Sequence, residues 1–310
     1  MSQPERHMPQ GQDQPARLRR LLASGPVAIP GAFNPLTAMQ IEQAGFEALY
    51  VSGAALSAAR GLPDIGLIPL RVMVREAGAI AKAVGIPVLV DADTGYGAPA
   101  LVKRAVRAFM RIGLAGMQIE DQEDDKRCGH LPGKRLVPAA EMAAKIRAAV
   151  EARGESAFMI VARTDARAVE GLEAAIHRAQ AYAEAEADAL FPEALQSAEE
   201  FSAFAQRMAQ KGIRLPLIAN MTEFGKSPYL NIGEFGALGY HGILFPVSTL
   251  RVATRAVAQL LADLKTDGTQ QGWVERMMPR QELYRLLRYD PAQDQRGRPH
   301  ERHDVTGSHR

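Results

Sequence analysis

Two acidic residues stand two positions apart in the segment VDADTGYG, residues 90–97. If the valine-rich run before them is a strand, Asp91 and Asp93 point to one face of it, because side chains alternate along a strand. Glu120 follows the next apolar run and adds a third carboxylate. No His or Cys accompanies them in sequence, so the oxygen-rich cluster favours Mg2+ or Mn2+ over zinc. The alternative is that Asp93 only caps the helix that Pro99 begins.

The segment KRCGHLPGK, residues 126–134, holds the single cysteine of the chain. Cys128 is flanked by Lys126, Arg127 and His130, and cationic neighbours lower a thiol pKa from its usual value of about 8.5. Such a thiol can exchange a proton near neutral pH, as an acid–base catalyst must. The alternative is a buried structural cysteine, against which the polar, glycine-containing surroundings argue.

Further polar residues follow the other predicted strands, and they are of types that bind carboxylates. Arg163, Arg251 and Arg280 can each clamp a carboxylate by paired hydrogen bonds, although a surface ion pair is an equal alternative for any one of them. Asn220 and Thr222 can donate to the same ligand or cap the segment that follows. The remaining strand-end groups are Ser52, Gly53, Asp121, Asp165, Glu193 and Ser248.

Eight short apolar runs, each followed by a segment of helical period, are the elements that position these residues. The pattern predicts an α/β fold, a (β/α)8 TIM-type barrel with an additional C-terminal helix over residues 270–289. In such a barrel the active site lies at the carboxyl ends of the strands. The predicted strands are Val27–Pro30, Ala48–Ser52, Pro87–Asp91, Gly116–Glu120, Phe158–Arg163, Ala189–Phe191, Leu215–Ala219 and Gly242–Phe245. The predicted helices include Leu70–Val84, Ala100–Ile112, Ala139–Arg153, Leu172–Ala185, Glu199–Gln210, Gly233–Leu238 and Ser248–Leu264.

Composition sets the class and the domain boundaries. The 310 residues are 47% hydrophobic, with 37 Lys plus Arg against 35 Asp plus Glu. The excess of positive charge belongs to the chain ends, which argues against nucleic-acid binding. No apolar run is long enough for a membrane span and the start lacks a signal-type apolar region, so we expect a cytoplasmic protein that binds no membrane. We expect a polar N-terminal arm (1–20), one catalytic barrel with its C-terminal helix (21–290) and a disordered tail (291–310).

From residue 21 to residue 289 the sequence resembles the isocitrate lyase/phosphoenolpyruvate mutase superfamily, and within it the short 2-methylisocitrate lyases. KRCGH is the mark of the lyases, and FPEA with the short chain favours the methylisocitrate branch. The segments that carry the resemblance are PGAFNPLTA (30–38), YVSGAA (50–55), GLPDIG (61–66), VDADTGYG (90–97), IEDQ (119–122), KRCGH (126–130), RTDA (163–166), FPEA (191–194) and NMTEFG (220–225).

The resemblance implies cleavage of the C2–C3 bond of 2-methylisocitrate to pyruvate and succinate, in the methylcitrate cycle of propionate catabolism. It implies Mg2+ (or Mn2+) on Asp91 and Asp93, with Glu120 and Asp64 in the outer shell. Cys128 would be the general acid, and Tyr50 or Asp64 the base. The tricarboxylate substrate would contact Ser52, Gly53, Ala54, Cys128, Gly129, Arg163, Glu193, Asn220, Met221, Thr222, Arg251 and Arg280. Relatives suggest a homo-oligomer, a tetramer.

Three positions depart from the family pattern. Ala54 stands where a second Gly is usual, which adds a methyl group beside the ligand. Glu186 replaces a Gly before the sixth strand, where a left-handed cap residue is expected. The usual helix beyond Tyr289 gives way to Asp290-Pro291.

Two other functions compete with this reading. One is a related lyase acting on isocitrate or another 2-hydroxy acid, because a methylene-sized difference in a pocket is worth only about 1–3 kcal/mol. The other is a non-catalytic barrel whose basic ends bind nucleic acid or a partner, against which the intact acid cluster argues.

Overall fold

The computed structural model describes residues 13–127, Gly129 and residues 133–291, and within them the chain forms eight strands and eleven α-helices. The strands are β1 (Val27–Pro30), β2 (Leu49–Val51), β3 (Val88–Asp91), β4 (Gly116–Glu120), β5 (Met159–Thr164), β6 (Ala189–Pro192), β7 (Ile218–Asn220) and β8 (Gly242–Phe245). The helices are α1 (Gln14–Ser24), α2 (Pro35–Gln43), α3 (Gly53–Ala59), α4 (Leu70–Ala83), α5 (Pro99–Arg111), α6 (Ala139–Arg153), α7 (Leu172–Glu184), α8 (Ala198–Gln210), α9 (Ile232–Ala237), α10 (Ser248–Asp267) and α11 (Arg280–Leu286).

The strands close into a parallel barrel in sequence order. Hydrogen bonds join β2, β3, β4, β5 and β6, in that order, into one sheet. They join β7, β8 and β1, in that order, into another. Parallel bridges from Gly31 to Tyr50 and from Leu190 to Leu217 connect the two sheets. Strand β3 is buried along its whole length, as expected for a parallel strand covered by helices. The predicted TIM-type barrel is confirmed, and it brings all eight strand ends to one face.

Helix α1 closes the opposite end of the barrel, so residues 14–20 belong to the barrel domain and not to the polar arm predicted over residues 1–20. Leu18 and Leu22 are fully buried among the side chains that fill the barrel. Arg19 donates to the Ala157 carbonyl at 2.6 Å and pairs with Asp188 at 2.8 Å. Only two leucines face inward on an arginine-rich helix, so its composition conceals its packing role. Residues 1–12 lie outside the described part.

Two predicted elements at the end of the barrel have different bounds. Strand β7 begins at Ile218 rather than Leu215, because Pro216 has no N–H to donate to a strand ladder. The helix predicted over 270–289 is instead a 3-10 turn, Gln271–Arg276, followed by α11. Pro279 separates them, since the residue before a proline avoids the helical region. The predicted disordered tail lies outside the described residues, apart from Pro291.

Glu186 adopts the left-handed conformation expected at its position, with φ of 68°. It follows the last turn of α7, and its side chain is exposed. A residue with a Cβ is strained there in a way that glycine is not. Among the helices that the structure describes, none combines the length and the apolar character needed to cross a membrane.

Candidate active site

A narrow cavity opens at the carboxyl ends of the strands and collects most of the predicted site residues. Glu193 at its wall is fully buried, whereas the side chain of Arg251 at its rim is 46% exposed. Ala54 also lies on the wall, so its methyl group takes up space beside the cavity. The predicted residues on the cavity are Tyr50, Ser52, Ala54, Asp64, Asp91, Gly129, Arg163, Glu193, Asn220, Thr222 and Arg251.

Four predicted residues are placed differently. Gly53 and Asp93 contact Asp91 from beside the cavity. Met221 is buried in the hydrophobic core between barrel and helices, because its side chain points away from the strand end. Arg280 is exposed at the start of α11, which packs against α2, and it does not line the cavity of this chain. Cys128 lies outside the described residues, so its predicted role is not tested by the structure.

Strand β2 leads directly into α3, and this turn brings backbone donors to the cavity. Ser52 is the N-cap of α3, and its hydroxyl oxygen accepts from the Ala55 N–H at 3.3 Å. The N–H of Gly53 donates to Asp91 Oδ2 at 3.1 Å. An added Cβ at Gly53 would lie 3.1 Å from that same oxygen. Glycine therefore allows the turn to approach the acidic pair closely.

Asp91 and Asp93 present their carboxylates from the end of β3. Asp91 Oδ1 accepts from the Asp93 N–H at 3.1 Å. Asp93 has φ of 47°, a left-handed conformation that aspartate tolerates better than most residues. Its Oδ1 is buried without a hydrogen bond of good geometry, although Lys126 Nζ lies 2.7 Å away. Burial, opposed by the charge of Lys126, raises the pKa of Asp93 to about 6.

This pair fits a hard divalent cation. Oδ1 of Asp93 and the two oxygens of Asp91, each of which accepts only one backbone N–H from the described residues, are carboxylate donors in one buried corner. Within the described ranges, no three acidic, His or Cys side chains converge as a protein-only metal cage. Mg2+ is commonly held by one or two carboxylates and keeps several waters. The donor set therefore suits Mg2+ better than zinc.

A chain of hydrogen bonds crosses the barrel behind the acidic pair. Tyr50 donates its phenolic hydrogen to Gln118 Oε1 at 2.7 Å, and Gln118 Nε2 donates to Glu120 at 3.3 Å. Burial, with the charge of Asp91, raises the pKa of Tyr50 well above its usual value. Tyr50 therefore keeps its proton in this arrangement. Asp64, the other candidate base, accepts from Lys126 Nζ at 2.5 Å.

Arg163 is held by carboxylates of the protein itself. Its guanidinium makes two hydrogen bonds to Asp165, at 2.9 and 3.0 Å, and lies 3.3 Å from Glu120. Lys134 Nζ pairs with the same Asp165 at 2.6 Å and also donates to the Gly129 carbonyl. These charges keep the pKa of Asp165 below its usual value despite burial. These contacts hold the Arg163 guanidinium in one orientation at the cavity wall.

Asn220, at the end of β7, fixes the orientation of Glu193. Its amide nitrogen donates to both carboxylate oxygens of Glu193, at 3.1 and 3.2 Å. The amide oxygen accepts from the Thr222 hydroxyl at 2.6 Å. Gly129 packs so closely here that an added Cβ would lie 2.6 Å from Glu193 Oε1. The segment after β4 thus contacts the opposite wall of the cavity.

Arg251 completes the rim from the first turn of α10. Its Nε lies 3.4 Å from Glu223 Oε2, and its guanidinium stacks over the Phe224 ring at 5.3 Å. Ser248 donates to Glu223 in turn. The segment after β7 therefore orients an arginine carried by the segment after β8.

Sequence reasoning missed the partners of three buried residues. The sequence predicts for Lys126 only an effect on the neighbouring Cys128, whereas in the structure it pairs with Asp93 and Asp64. Lys134 was not singled out, and Asp165 was treated only as a strand-end polar group. The excess of strand-end carboxylates is a signal for both lysines, because buried carboxylates need cations. The spacing Arg163-x-Asp165 also predicts one strand face, by the argument used for Asp91 and Asp93.

Comparison with known proteins finds relatives that match most of this chain. A sequence model described as phosphoenolpyruvate phosphomutase matches residues 18–265. A protein of Corynebacterium glutamicum named probable 2-methylisocitrate lyase 1 is 48% identical over 84% of this chain and 85% of its own length. The 2-methylisocitrate lyase of Aeropyrum pernix is 46% identical over 88% of this chain and 86% of its own.

Solved structures share the fold. The crystal structure of 2,3-dimethylmalate lyase, a member of the PEP mutase/isocitrate lyase superfamily, superposes with a TM-score of 0.83 at 36% identity, covering 89% of this chain and 92% of that one. Phosphonopyruvate hydrolase in complex with oxalate and Mg2+ has a TM-score of 0.80 at 30% identity, with coverage of 89% and 95%.

Proposed function

The chain belongs to the phosphoenolpyruvate phosphomutase family. Within this family, we propose that it is a carbon–carbon lyase that cleaves 2-methylisocitrate to pyruvate and succinate. One observation carries the proposal: the same cavity is lined by Asp91 and the start of α3 on one side and by three residues that suit carboxylates on the other. Those three residues are Arg163, Asn220 and Arg251. Relatives bearing that name at 46–48% identity support the choice of substrate.

Asp91 and Asp93 would hold Mg2+, as the donor set and the Mg2+ complex of phosphonopyruvate hydrolase suggest. When bound, the cation favours loss of the proton from the C2 hydroxyl group. Glu120 would lie in the outer shell, since its two oxygens already accept from Gln118 and Gln122.

The protein's own groups would orient the substrate. Ser52, Gly53 and Ala54 would surround its 2-hydroxy acid end, where the first turn of α3 offers backbone N–H groups. Arg163 and Arg251 would bind the remaining carboxylates, and Asn220 and Thr222 would contact the substrate from the same wall of the cavity. Glu193 would hold the Asn220 amide in place.

The bond-breaking step needs a base and an acid. Loss of the hydroxyl proton turns C2 into the carbonyl carbon of pyruvate, and the C2–C3 electron pair passes to the succinate fragment. Cys128 would donate its thiol proton to C3, the carbon that receives this electron pair, and succinate is released. Asp64 or Tyr50 would take the hydroxyl proton, since both line the cavity.

Pyruvate formation tests the proposal directly. Purified protein is incubated with 2-methylisocitrate and Mg2+, and pyruvate is followed through lactate dehydrogenase. We expect turnover, near-complete loss in Cys128→Ser with substrate binding retained, and unchanged turnover in the exposed control Asp125→Asn. Absence of pyruvate at micromolar enzyme would refute the lyase assignment.

The likeness to 2,3-dimethylmalate lyase makes related 2-hydroxy acids the natural competing substrates. Comparing kcat/KM for 2-methylisocitrate, isocitrate and 2,3-dimethylmalate decides among them. We expect 2-methylisocitrate to give the highest value, and a higher value for either competitor would replace it as the substrate.

We further propose a cytoplasmic homo-oligomer, a tetramer as the family resemblance implies. A reducing compartment keeps Cys128 a thiol. Val252, Val257 and Leu261 of α10 are 71%, 53% and 59% exposed, and apolar side chains grouped on one helix favour a subunit contact. Light scattering after gel filtration would give the subunit number, and a monomer would refute this part.

A further inference from the structure

A second cavity, of about 730 Å3, lies between the start of α4 and one side of α5. Asp93 and Lys126 form part of its wall, so it lies behind the acidic pair of the active site. Much of the remaining wall is apolar. The apolar residues are Ile68, Pro69, Leu70, Val74, Leu101 and Ala108.

Cations outnumber carboxylates around this cavity. Arg71, Arg104, Arg111 and Lys126 line it, against Asp93 and Asp124. Both carboxylates are engaged, because Asp93 faces Lys126 at 2.7 Å and Asp124 accepts from the Thr94 hydroxyl at 3.0 Å.

Two of those cations are available to a ligand. The side chains of Arg71 and Arg104 are exposed and have neither an ionic nor a hydrogen-bonding partner among residues 13–127, 129 and 133–291. An arginine without a partner can bind an anion through two parallel hydrogen bonds.

The N-terminus of α4 opens onto the same space, since Pro69, Leu70 and Arg71 line it. Helix α4 has 14 residues, no side chain caps it, and its first turn carries no acidic residue. The N-terminal turn of a helix carries partial positive charge and unsatisfied N–H groups. This end of α4 therefore favours a negatively charged group in the cavity.

Tyr96 supplies an independent sign of a missing partner. Tyr96 lines the cavity, and its hydroxyl oxygen is buried without a hydrogen-bonding partner among the described residues. The residue adopts φ of 66°, a left-handed conformation that costs a non-glycine residue free energy. A buried polar group without a partner is itself costly, so a ligand oxygen at this hydroxyl would remove a penalty.

We propose that this cavity is a second binding site, distinct from the active site, for a small organic anion with an apolar body. Its anionic group binds Arg71 and Arg104 near the N-terminus of α4, and its apolar part packs on Ile68, Val74 and Leu101. The apolar wall distinguishes this site from the active-site cavity, whose lining suits a tricarboxylate.

Calorimetric titration of the full-length protein with octanoate tests the site. We expect saturable binding that neither acetate nor octanamide reproduces, because one lacks the apolar body and the other lacks the charge. The double variant Arg71→Ala/Arg104→Ala should weaken octanoate binding about tenfold or more. Tyr96→Phe should weaken it about threefold.

The matched control is Arg107→Ala, which removes an exposed arginine of the same helix α5 that does not line the cavity. It should bind octanoate as the parent protein does. Absence of saturable binding would overturn the proposal. A cavity covered by a second subunit would give the same result, and the proposal would be overturned in that case too. Binding that persists unchanged in the double variant would also overturn it, because the apolar surface elsewhere would then be the site. Pyruvate formation is measured separately, so failure here is distinguishable from failure of the lyase assignment.

Discussion

The N–H of Gly53 donates to Asp91 Oδ2 at 3.1 Å and ties the first turn of α3 to the end of β3. No side chain stands between them, and a Cβ on Gly53 would lie 3.1 Å from Asp91 Oδ2 and 3.4 Å from Asp93 Oδ1. The turn and the acidic pair are therefore one unit, in which a methyl group at residue 53 moves the proposed Mg2+ ligands.

We predict that Gly53→Ala weakens Mg2+ binding several-fold and lowers kcat/KM for 2-methylisocitrate. The carboxylates must shift by a few tenths of an ångström to admit the methyl group, and Mg2+ demands near-ideal ligand geometry. Calorimetric titration with Mg2+ measures the first effect and the pyruvate assay the second.

Ala54→Gly is the matched control, because it changes one methyl group at the adjacent position. Its Mg2+ affinity should equal that of the parent protein. Equal Mg2+ affinity in Gly53→Ala and the parent would show that the close approach has no bearing on the metal.

Much of the site was predictable because the strands end where apolar runs end. The run before Asp91 is apolar at every position, which predicts a parallel strand buried on both faces with Asp91 at its carboxyl end. In the structure β3 is buried along its whole length. The same argument placed Arg163 and Asn220. What it could not supply is pairing between elements. Lys126 meets Asp93 only because the segment after β4 crosses to β3, and no spacing in the sequence encodes that contact.

The misplaced residues have equally local reasons. Met221 follows Asn220 by one position, so its side chain points to the opposite side, into the core. Helix α1 escaped prediction because two buried leucines among arginines give a weak periodic signal. Arg280 is predicted from its ability to clamp a carboxylate and from the resemblance, but α11 keeps it away from the cavity of this chain.

Mg2+ should stabilise the folded protein. A ligand that binds only the native state at about 100 times its Kd adds about 2.7 kcal/mol to the free energy of unfolding. We therefore expect a higher Tm in Mg2+ than in EDTA, measured by differential scanning calorimetry. Asp91→Asn should abolish most of the difference, whereas Asp125→Asn, at an exposed acid paired with Arg135, should retain it. Equal Tm values for the parent protein in Mg2+ and EDTA would contradict a native metal site.

Asn220→Asp should destabilise the fold and impair turnover. The substitution replaces the amide that donates to Glu193 with a carboxylate, so two negative groups meet at a fully buried side chain. Loss of a hydrogen bond to a buried charge costs about 1.5–3 kcal/mol, to which like-charge repulsion adds. Urea unfolding at pH 7 measures the loss.

The same substitution at Asn231 provides the control. Asn231 caps α9 through a capping box with Glu234, and a carboxylate serves equally well at a helix N-terminus. Asn231→Asp should leave the free energy of unfolding nearly unchanged. A loss at Asn220 no larger than that at Asn231 would show that the Glu193 contact contributes nothing.

Glu186→Gly should stabilise the protein, although glycine usually has the opposite effect. At φ of 68° the Cβ of Glu186 is strained, and its exposed side chain makes no described hydrogen bond or ion pair that the substitution would remove. Relief of the left-handed conformation is worth about 1 kcal/mol, partly offset by the greater freedom of glycine in the unfolded chain. The neighbouring Ala185 has φ of −85°, so Ala185→Gly should lower the free energy of unfolding by about 0.5–1 kcal/mol. Urea midpoints that move in opposite directions in the two variants would support this account of the turn before β6, and midpoints that both fall would refute it.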